Sequence, residues 1–286
     1  MKIRFLGTSA AGGFPNPHCR CENCQAARAE GGKSLRHQSS ALIDDNLLID
    51  LGPDVSSAVM EQGIDLANVA WVLQTHPHDD HLLPLHAVAR SASWAAQEAV
   101  PMQWVGSAQT LHRITDQISP KSMQKLDMVT SGEPGEHKLT LVEIEPWQSY
   151  TFGPYRVQTV AANHDPTVSP MLFAIERDGR RMFWGTDTST VPDGTWQRLA
   201  DLGWSFDLVV FDHNDGFTRP VSPTHMGSGA MRREIGIMRD CGLVDEATKV
   251  LGTHIAHHSN GPHSVESAKA QELGYDLAWD GFVVEV

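Results

Sequence analysis

The order of hydrophobic and polar residues predicts strands and helices that alternate in both halves of the chain. Short apolar runs predict strands at residues 3–6, 69–74, 155–160, 171–176, 181–184, 208–211, 249–252 and 281–286. Residues 40–43 and 47–50 flank three turn-forming residues and predict a β-hairpin. Helices are predicted at residues 25–30, 55–62, 82–98, 195–202, 225–241 and 264–273. Because hairpins and crossover helices are mixed, we predict an α/β (α+β) fold with two β-sheets and helices outside them.

The length and composition are those of an ordinary globular protein. The 286 residues are 41% hydrophobic and 20% charged, and they contain no internal repeat or Pro/Ser-rich linker. We therefore expect a single domain over residues 1–286. No apolar run approaches the roughly 20 residues that span a bilayer. The apolar stretch at the start is too short for a secretory signal, so we expect a cytoplasmic protein.

The charge balance limits the classes of partner. With 35 acidic and 22 basic residues, the formal net charge is −13. Such a chain binds nucleic acid and anionic lipid poorly, which argues against a transfer-RNA nuclease and against a membrane partner. A small anionic substrate stays compatible, because bound divalent metals can reverse the local field.

Histidines are numerous, and their densest cluster follows a predicted buried strand. Of 15 histidines, three lie in the segment Thr75-His76-Pro77-His78-Asp79-Asp80-His81. This density of imidazole and carboxylate groups fits neither a core face nor an ordinary surface loop, and it indicates a metal site. His76 and His78 can converge on one ion from an extended segment, while Asp80 and His81, at the predicted start of the next helix, can reach a second. These ligands suit Zn²⁺, Mn²⁺ or Fe²⁺ better than Ca²⁺.

The pattern His76-x-His78-x-Asp80-His81 resembles the H-x-H-x-D-H motif of the metallo-β-lactamase-fold hydrolases. Asn163-His164, Gly185-Thr186-Asp187-Thr188 and Gly252-Thr253-His254 follow in the order of that family, each after a predicted strand. The resemblance implies an αββα sandwich of two mixed β-sheets flanked by helices, with two divalent ions, Zn or Mn. It assigns one ion to His76, His78 and His164, the other to Asp80, His81 and His254, and a bridging position to Asp187.

A second candidate metal site lies near the start of the chain. Cys19, Cys21 and Cys24 form a C-x-C-x-x-C pattern, whereas the fourth cysteine, Cys241, is distant. An odd thiol argues against a disulfide framework, and three thiolates need a fourth ligand to close a tetrahedral zinc site. His257 is our candidate, with His18 and His258 as alternatives. The arrangement resembles the PhnP-type phosphodiesterases, in which such residues hold a structural zinc, and it defines an N-terminal zinc-binding loop at about residues 14–24.

The two ends of the chain carry further motifs. The glycine-rich residues 7–15 lack the pattern of a P-loop or of a dinucleotide fingerprint, so we expect a tight strand-exit loop. Ala10-Ala11-Gly12-Gly13-Phe14-Pro15 and Ala278-Trp279-Asp280-Gly281 resemble the PqqB proteins of pyrroloquinoline quinone biosynthesis. The histidine motif of those proteins is degraded, whereas it is intact here, which favours a hydrolytic dinuclear centre.

These features predict a metal-dependent phosphodiesterase for a small phosphodiester, linear or cyclic, with a homodimer as a candidate assembly. The alternatives are hydrolysis of another ester or lactone, a PqqB-like oxidoreductase, and a non-enzymatic zinc-stabilised protein, which the full ligand set disfavours. Asp80 and His225 are the catalytic candidates. Histidines in the region of His225 donate a proton in related phosphodiesterases, and His213 is the alternative donor. The remaining histidines have no motif around them and are interpreted as ordinary polar residues: His37, His86, His112, His137 and His263.

Overall fold

Two seven-stranded β-sheets form the centre of the computed structural model, which describes residues 1–91, 97–117, 138–217 and 222–286. The first sheet contains, in spatial order, Val283–Glu285 (β14), Lys2–Gly7 (β1), Ser40–Ile43 (β2), Leu47–Ile49 (β3), Trp71–Leu73 (β4), Met102–Gly106 (β5) and Leu139–Glu143 (β6). The second contains Asp276–Leu277 (β13), Lys249–Thr253 (β12), Leu208–Asp212 (β11), Arg180–Gly185 (β10), Met171–Arg177 (β9), Tyr155–Ala161 (β8) and Ser149–Phe152 (β7).

Helices cover the outer faces of both sheets. Those in the described residues are Glu22–Glu30 (α1), Val55–Glu61 (α2), Leu85–Ala89 (α3), Ala108–Gln117 (α4), Thr195–Asp201 (α5), Ser228–Asp240 (α6) and His263–Glu272 (α7), with a 3₁₀ turn at Gly32–Ser34. None of these helices is both long and apolar enough to cross a membrane.

Three apolar layers hold the sandwich together. The central layer joins side chains from both sheets, such as Phe5 and Ile49 from the first and Phe173 and Val210 from the second. A second layer packs the outer face of the first sheet against α2, α3 and α4. A third packs the second sheet against α5, α6 and α7. The predicted αββα sandwich is therefore confirmed.

Both sheets are mixed, and their parallel parts determine where the site lies. The predicted hairpin is confirmed, since β2 and β3 pair antiparallel with Ala41 opposite Ile49. Strands β3 to β6 are parallel, as are β10 to β13. The carboxyl ends of parallel strands meet at one edge of a sheet, and the loops that follow them lie together there.

Several predicted boundaries are wrong. The helix expected at residues 82–98 is Leu85–Ala89 in the structure. The side chain of Arg90, the next residue, donates to the carbonyl oxygen of Val100 at 2.5 Å. Residues 92–96 of that prediction, and His137, lie outside the described residues. The helix expected from residue 225 begins at Ser228, because Gly227 is extended. The sequence interpretation also assigned no element to β5, β6, β7, β13 or α4.

Candidate metal centre

The ends of four strands bring the candidate ligands together. The segment with His76 and His78 leaves β4, His164 follows β8, Asp187 follows β10, and His254 follows β12. Asp80 and His81 lie in a turn before α3, where the backbone N–H of His81 donates to the carbonyl oxygen of His78 at 3.0 Å. The sequence interpretation placed these two residues at the start of a helix, which instead begins at Leu85.

The first group consists of His76, His78 and His164, whose ring nitrogens lie within 4.8 Å of one another. His78 Nδ1 lies 3.0 Å from His76 Nε2 and 3.2 Å from His164 Nε2. The other ring nitrogen of His164 donates to the carbonyl oxygen of Thr224 at 3.0 Å. In neutral His164 the Nε2 atom therefore carries a lone pair that faces the other two rings. A cation bound between the three rings would accept this lone pair, so the three histidines fit a metal ion.

The second group consists of Asp80, His81, Asp187 and His254, all buried. His81 Nε2 lies 3.2 Å from Asp80 Oδ2 and 3.4 Å from Asp187 Oδ2. His254 Nε2 lies 3.2 Å from Asp187 Oδ2 and 3.5 Å from Asp80 Oδ2. Two carboxylates and two imidazoles within this space form a ligand set suited to a divalent transition metal.

Asp187 lies between the two groups. Its Oδ2 atom is 4.0 Å from both His76 Nε2 and His164 Nε2, in addition to its shorter contacts with the second group. Its Oδ1 atom is buried and has no hydrogen-bond partner in the described part of the chain. A buried carboxylate oxygen without a donor is costly, and an ion bound there would satisfy it. Asp187 is thus placed where it could contact both ions.

The electrostatics of the second group favour a cation. Burial opposes protonation of His81, but the carboxylates of Asp80, Asp187 and Asp50 hold its pKa well above the ordinary value. Burial opposes ionisation of Asp187, but His254 and His81 hold its pKa well below the ordinary value. By contrast, burial, with His81 as a further cause, holds the pKa of His76 well below its usual range. His76 therefore stays neutral and can donate its lone pair.

Asp50 is a functional candidate that the sequence interpretation missed. It directly follows β3 and is buried, and its Oδ2 atom lies 2.7 Å from His81 Nδ1. Its Oδ1 atom accepts from the backbone N–H of Thr75 at 2.7 Å. A carboxylate in this position fixes the His81 ring with Nε2 directed at the centre. The only sequence signal was an aspartate at the end of an apolar strand.

His225 and Asp212 form a pair beside the second group. His225 Nδ1 lies 2.7 Å from Asp212 Oδ2, and its ring stacks on His254 with centroids 5.3 Å apart. Burial opposes protonation of His225, but the carboxylate of Asp212 raises its pKa to about 9. His225, Asp212, Asp187 and His254 also form a group that could hold a metal ion. A protonated His225 could donate through Nε2, and a neutral one could bind a metal.

The structure directs His213, the alternative proton donor, away from this centre. His213 is buried, with Nδ1 3.2 Å from Asn260 Oδ1 and Nε2 2.8 Å from the hydroxyl of Tyr275. Burial lowers its pKa to about 4. A neutral ring with both nitrogens occupied is a structural residue.

A cavity of about 240 Å³ opens over the centre. Asp80, Asp187 and His225 line this cavity, and the turn from Ala10 to Gly13 lines it together with His258. No lysine or arginine of the described residues lines it. The strand-exit loop expected from the sequence is therefore also a wall of the candidate active site.

The three clustered cysteines lie together with His257, which also lines the cavity. Their sulfur atoms and a ring nitrogen of His257 are within 4.8 Å of one another, and Cys21 Sγ is 3.8 Å from His257 Nδ1. Neither His18 nor His258 belongs to this group. Hydrogen bonding to His257 lowers the pKa of Cys21 to about 6, while burial raises the pKa of Cys24 to about 11. Three sulfurs and one imidazole are a fitting donor set for a tetrahedral zinc ion.

The described histidines without a motif lie outside these groups. His37 lies 2.9 Å from Asp280, and His263 lies 2.9 Å from Arg36. His86 lies 3.1 Å from the carbonyl oxygen of Gly52, and His112 pairs with Asp116 on the surface. Each of them has a local partner of its own.

The arrangement of sheets and histidines defines a class of protein, and the sequence matches that class. The chain belongs to the β-lactamase superfamily, whose domain it matches over residues 45–255. Over nearly its whole length it is similar to PqqB: it is 39% identical to coenzyme PQQ synthesis protein B of Klebsiella pneumoniae, with 99% of this chain and 98% of that protein covered.

Two solved structures share the fold over the entire chain. A diphosphatase from the PhnP family superimposes with a TM-score of 0.72 at 19% identity, covering 100% of this chain and 96% of the other. Zn²⁺-bound PqqB from Methylobacterium extorquens gives a TM-score of 0.71 at 17% identity, covering all of both chains. At these identities the likeness concerns the fold.

Proposed function

We propose that this protein is a dinuclear metal hydrolase that cleaves a small phosphodiester, linear or cyclic. The observation that carries the proposal is the position of Asp187. Its Oδ2 atom lies 3.2 to 4.0 Å from ring nitrogens of four histidines, two in each group. A shared carboxylate between two sets of ligands is suited to a pair of metal ions.

In this proposal His76, His78 and His164 hold one ion, and Asp80, His81 and His254 hold the other. Two divalent ions supply an activated water and neutralise charge on the phosphoryl oxygens. A structural zinc at Cys19, Cys21, Cys24 and His257 would fix the wall of the cavity.

The protein side chains orient the substrate and supply the proton for the leaving group. Asp212 holds His225 at 2.7 Å, so that Nε2 of His225 is the nitrogen free to donate. His225 lines the cavity together with Asp80, the other catalytic candidate, which also belongs to the second group. Proton donation by a positioned histidine contributes about 10²- to 10⁴-fold to such reactions.

Size and charge support a small diester as the substrate. A cavity of about 240 Å³ suits a small molecule. A diester carries a single negative charge, whereas a monoester carries close to two, and no lysine or arginine of the described chain lines the cavity to neutralise a second. The similar fold of a PhnP-family diphosphatase agrees with phosphoryl chemistry at such a centre.

A step in the synthesis of pyrroloquinoline quinone is a second candidate function. It is favoured by the 39% identity to a PqqB protein over nearly the full length of both chains. In its oxidoreductase form, this function would need residues that hold an iron ion, which would supply the chemistry with oxygen. The cluster of Asp212, His225 and His254 offers two imidazoles and a carboxylate, which suits non-haem iron.

Metal analysis combined with a substrate panel tests the proposal. Protein purified without added metal is assayed for zinc, manganese and iron, and for turnover of bis(p-nitrophenyl) phosphate, p-nitrophenyl phosphate and a lactone. We expect two ions in the histidine centre and faster turnover of the diester than of the monoester. Lactone hydrolysis without diesterase activity would instead favour the other ester hydrolases. Bound iron with oxygen consumption would favour the oxidoreductase.

A further inference from the structure

The loop between β8 and β9 carries His164, a member of the first group of histidines, and its neighbour in sequence, Asp165. Asp165 faces this group through His78. The loop is tied to the strand end that bears Asp187: the N–H of Asn163 donates to Thr188 Oγ1 at 3.0 Å, and the N–H of Ser189 donates to the carbonyl oxygen of Asn163 at 2.9 Å. Asp165 is therefore held at a fixed place beside the centre.

The two carboxylate oxygens of Asp165 have different partners. Its Oδ1 atom accepts from the backbone N–H of Thr167 at 2.9 Å and from the Thr167 hydroxyl at 2.7 Å. Its Oδ2 atom lies 3.3 Å from His78 Nε2. Because an ionised carboxylate can only accept, this contact requires that the His78 proton is on Nε2.

That proton position leaves a lone pair on His78 Nδ1, the atom that faces His76 and His164 at 3.0 and 3.2 Å. Packing alone holds His78 less firmly than its neighbour, since its side chain is 33% exposed and that of His76 is 0% exposed. Of the three rings, His78 has the greatest need of a polar partner to fix its tautomer and orientation.

We infer that Asp165 is a positioning residue that fixes the metal-binding tautomer of His78. A carboxylate that accepts the second N–H of a ligand histidine orients the ring and raises its basicity, and losing such a partner typically lowers metal affinity about 10- to 100-fold. The inference rests on the metal ligands of the proposed function but not on the substrate.

The effect of Asp165 should be confined to one of the two ions. Asp165 contacts the first group, whereas Asp50 supports His81 in the second at 2.7 Å. The two carboxylates thus support different ligand groups. Replacing Asp165 should weaken binding of the ion at the first group, and replacing Asp50 should weaken binding of the ion at the second.

Asp165→Asn is the most informative variant. It preserves the hydrogen bonds within the loop but replaces the acceptor that faces His78 with a donor. The single amide oxygen would stay with the two donors of Thr167, which leaves the NH₂ group facing His78 Nε2. A donor there favours the proton on Nδ1, the nitrogen that must bind the ion. Thr167→Val gives a second variant, which keeps the carboxylate but removes one of its anchors.

The experiment is titration of the metal-free full chain with Co²⁺, followed by the visible spectrum of the bound cobalt and by chelator competition. For Asp165→Asn we expect about 10- to 100-fold weaker binding of one cobalt in the histidine centre. Binding of the other cobalt there, and of the cobalt at the cysteine cluster, should be unchanged. The ¹⁵N shifts of the His78 ring in the metal-free protein should show the proton on the other nitrogen. Thr167→Val should weaken the same cobalt to a smaller extent.

Asp240→Asn is the matched control, since Asp240 is an exposed carboxylate at the end of α6. Unchanged cobalt affinities and ¹⁵N shifts in Asp165→Asn would overturn the inference, as would equal weakening of both ions. If one ion is weakened selectively but no phosphodiester is cleaved, the positioning role stands while the proposed function fails.

Discussion

The carboxylate of Asp50 lies 2.7 Å from Nδ1 of His81, and both side chains are buried. The same carboxylate accepts from the N–H and the hydroxyl of Thr75, so it joins the end of β3 to the segment that leaves β4. Asp50 therefore links the fold of the first sheet to the geometry of the second ligand group.

Replacing Asp50 with Ala should destabilise the protein even without metal. The change leaves the buried N–H of Thr75 without an acceptor, and an unpaired buried donor costs about 1–3 kcal/mol. Chemical denaturation of the metal-free protein measures this loss. Asp50→Asn, which keeps an amide oxygen for Thr75, should lose less stability. Equal stability of the Ala variant and the unsubstituted protein would contradict the role of Asp50 as an acceptor.

The difference between Asp50 and the histidine motif shows what sequence can reveal. Five metal-binding side chains in six positions after a strand have few structural explanations, so the segment from His76 to His81 is informative by itself. A lone aspartate after an apolar strand is common at turns. Its function depends on a contact with His81, 31 residues away, which only the parallel pairing of β3 and β4 creates.

The fold was predictable where the hydrophobic pattern was strong and local. The hairpin of β2 and β3 has apolar strands around turn residues, and its prediction from sequence is confirmed. Strand β5, Met102–Gly106, mixes polar and apolar residues and is held by parallel neighbours distant in sequence, so the local pattern does not predict it. The end of α3 at Ala89 has no glycine or proline to mark it in the sequence.

Replacing Asp187 with Ala should remove more than one equivalent of metal and abolish hydrolysis. This residue is within 4.0 Å of ring nitrogens in both groups, so its loss removes a ligand from each ion. Metal analysis after dialysis and the diesterase assay measure the two effects. The control is Asp193→Ala, an exposed aspartate in the loop before α5. Full metal content and rate in Asp187→Ala would refute the bridging position.

Replacing Cys21 with Ser should release about one zinc and lower the thermal stability, because a closed zinc site contributes folding free energy directly. Cys241→Ser is the matched control, since Cys241 lies outside the cluster. Zinc content and thermal unfolding are measured for both variants. Unchanged values in Cys21→Ser would mean that the thiols are free.

Substitution of two neighbouring histidines tests which residue is the fourth ligand of the zinc site. His257→Ala should reproduce the effect of Cys21→Ser, because His257 Nδ1 lies 3.8 Å from Cys21 Sγ. His258→Ala should retain the zinc, since His258 is outside the group. The reverse result would assign the zinc to His258.

The pair of His37 and Asp280 should make stability depend on pH. Hydrogen bonding to Asp280 at 2.9 Å raises the pKa of His37 in the folded protein. Because the pKa of His37 is higher in the folded protein than in the unfolded chain, protonation of His37 stabilises the folded state. This stabilisation is complete below the unfolded pKa of about 6.5 and is lost as the pH rises through the folded pKa. The stability difference between the unsubstituted protein and His37→Gln should therefore be larger at pH 6 than at pH 9. Denaturant unfolding at both pH values measures it, and a pH-independent difference would contradict the role of the ion pair.

Replacing His225 with Ala should matter most for substrates whose leaving oxygen needs a proton. An alkoxide is strongly basic and departs poorly unaided, whereas p-nitrophenolate is stable near neutral pH. The variant should therefore lose about 10²- to 10⁴-fold in rate on an alkyl or cyclic diester and far less on bis(p-nitrophenyl) phosphate.

The metal content of His225→Ala decides whether His225 is a proton donor or a metal ligand. His225 also lies in a group with Asp187, Asp212 and His254 that could hold an ion. If His225 is a proton donor only, the metal content should stay unchanged. His112→Ala, on the exposed face of α4, is the control for removing a histidine. Equal losses on both substrates with intact metal would make His225 a substrate-positioning residue, and loss of one ion would make it a ligand. His213 does not take over the proton in either case, because Asn260 and Tyr275 occupy both of its ring nitrogens.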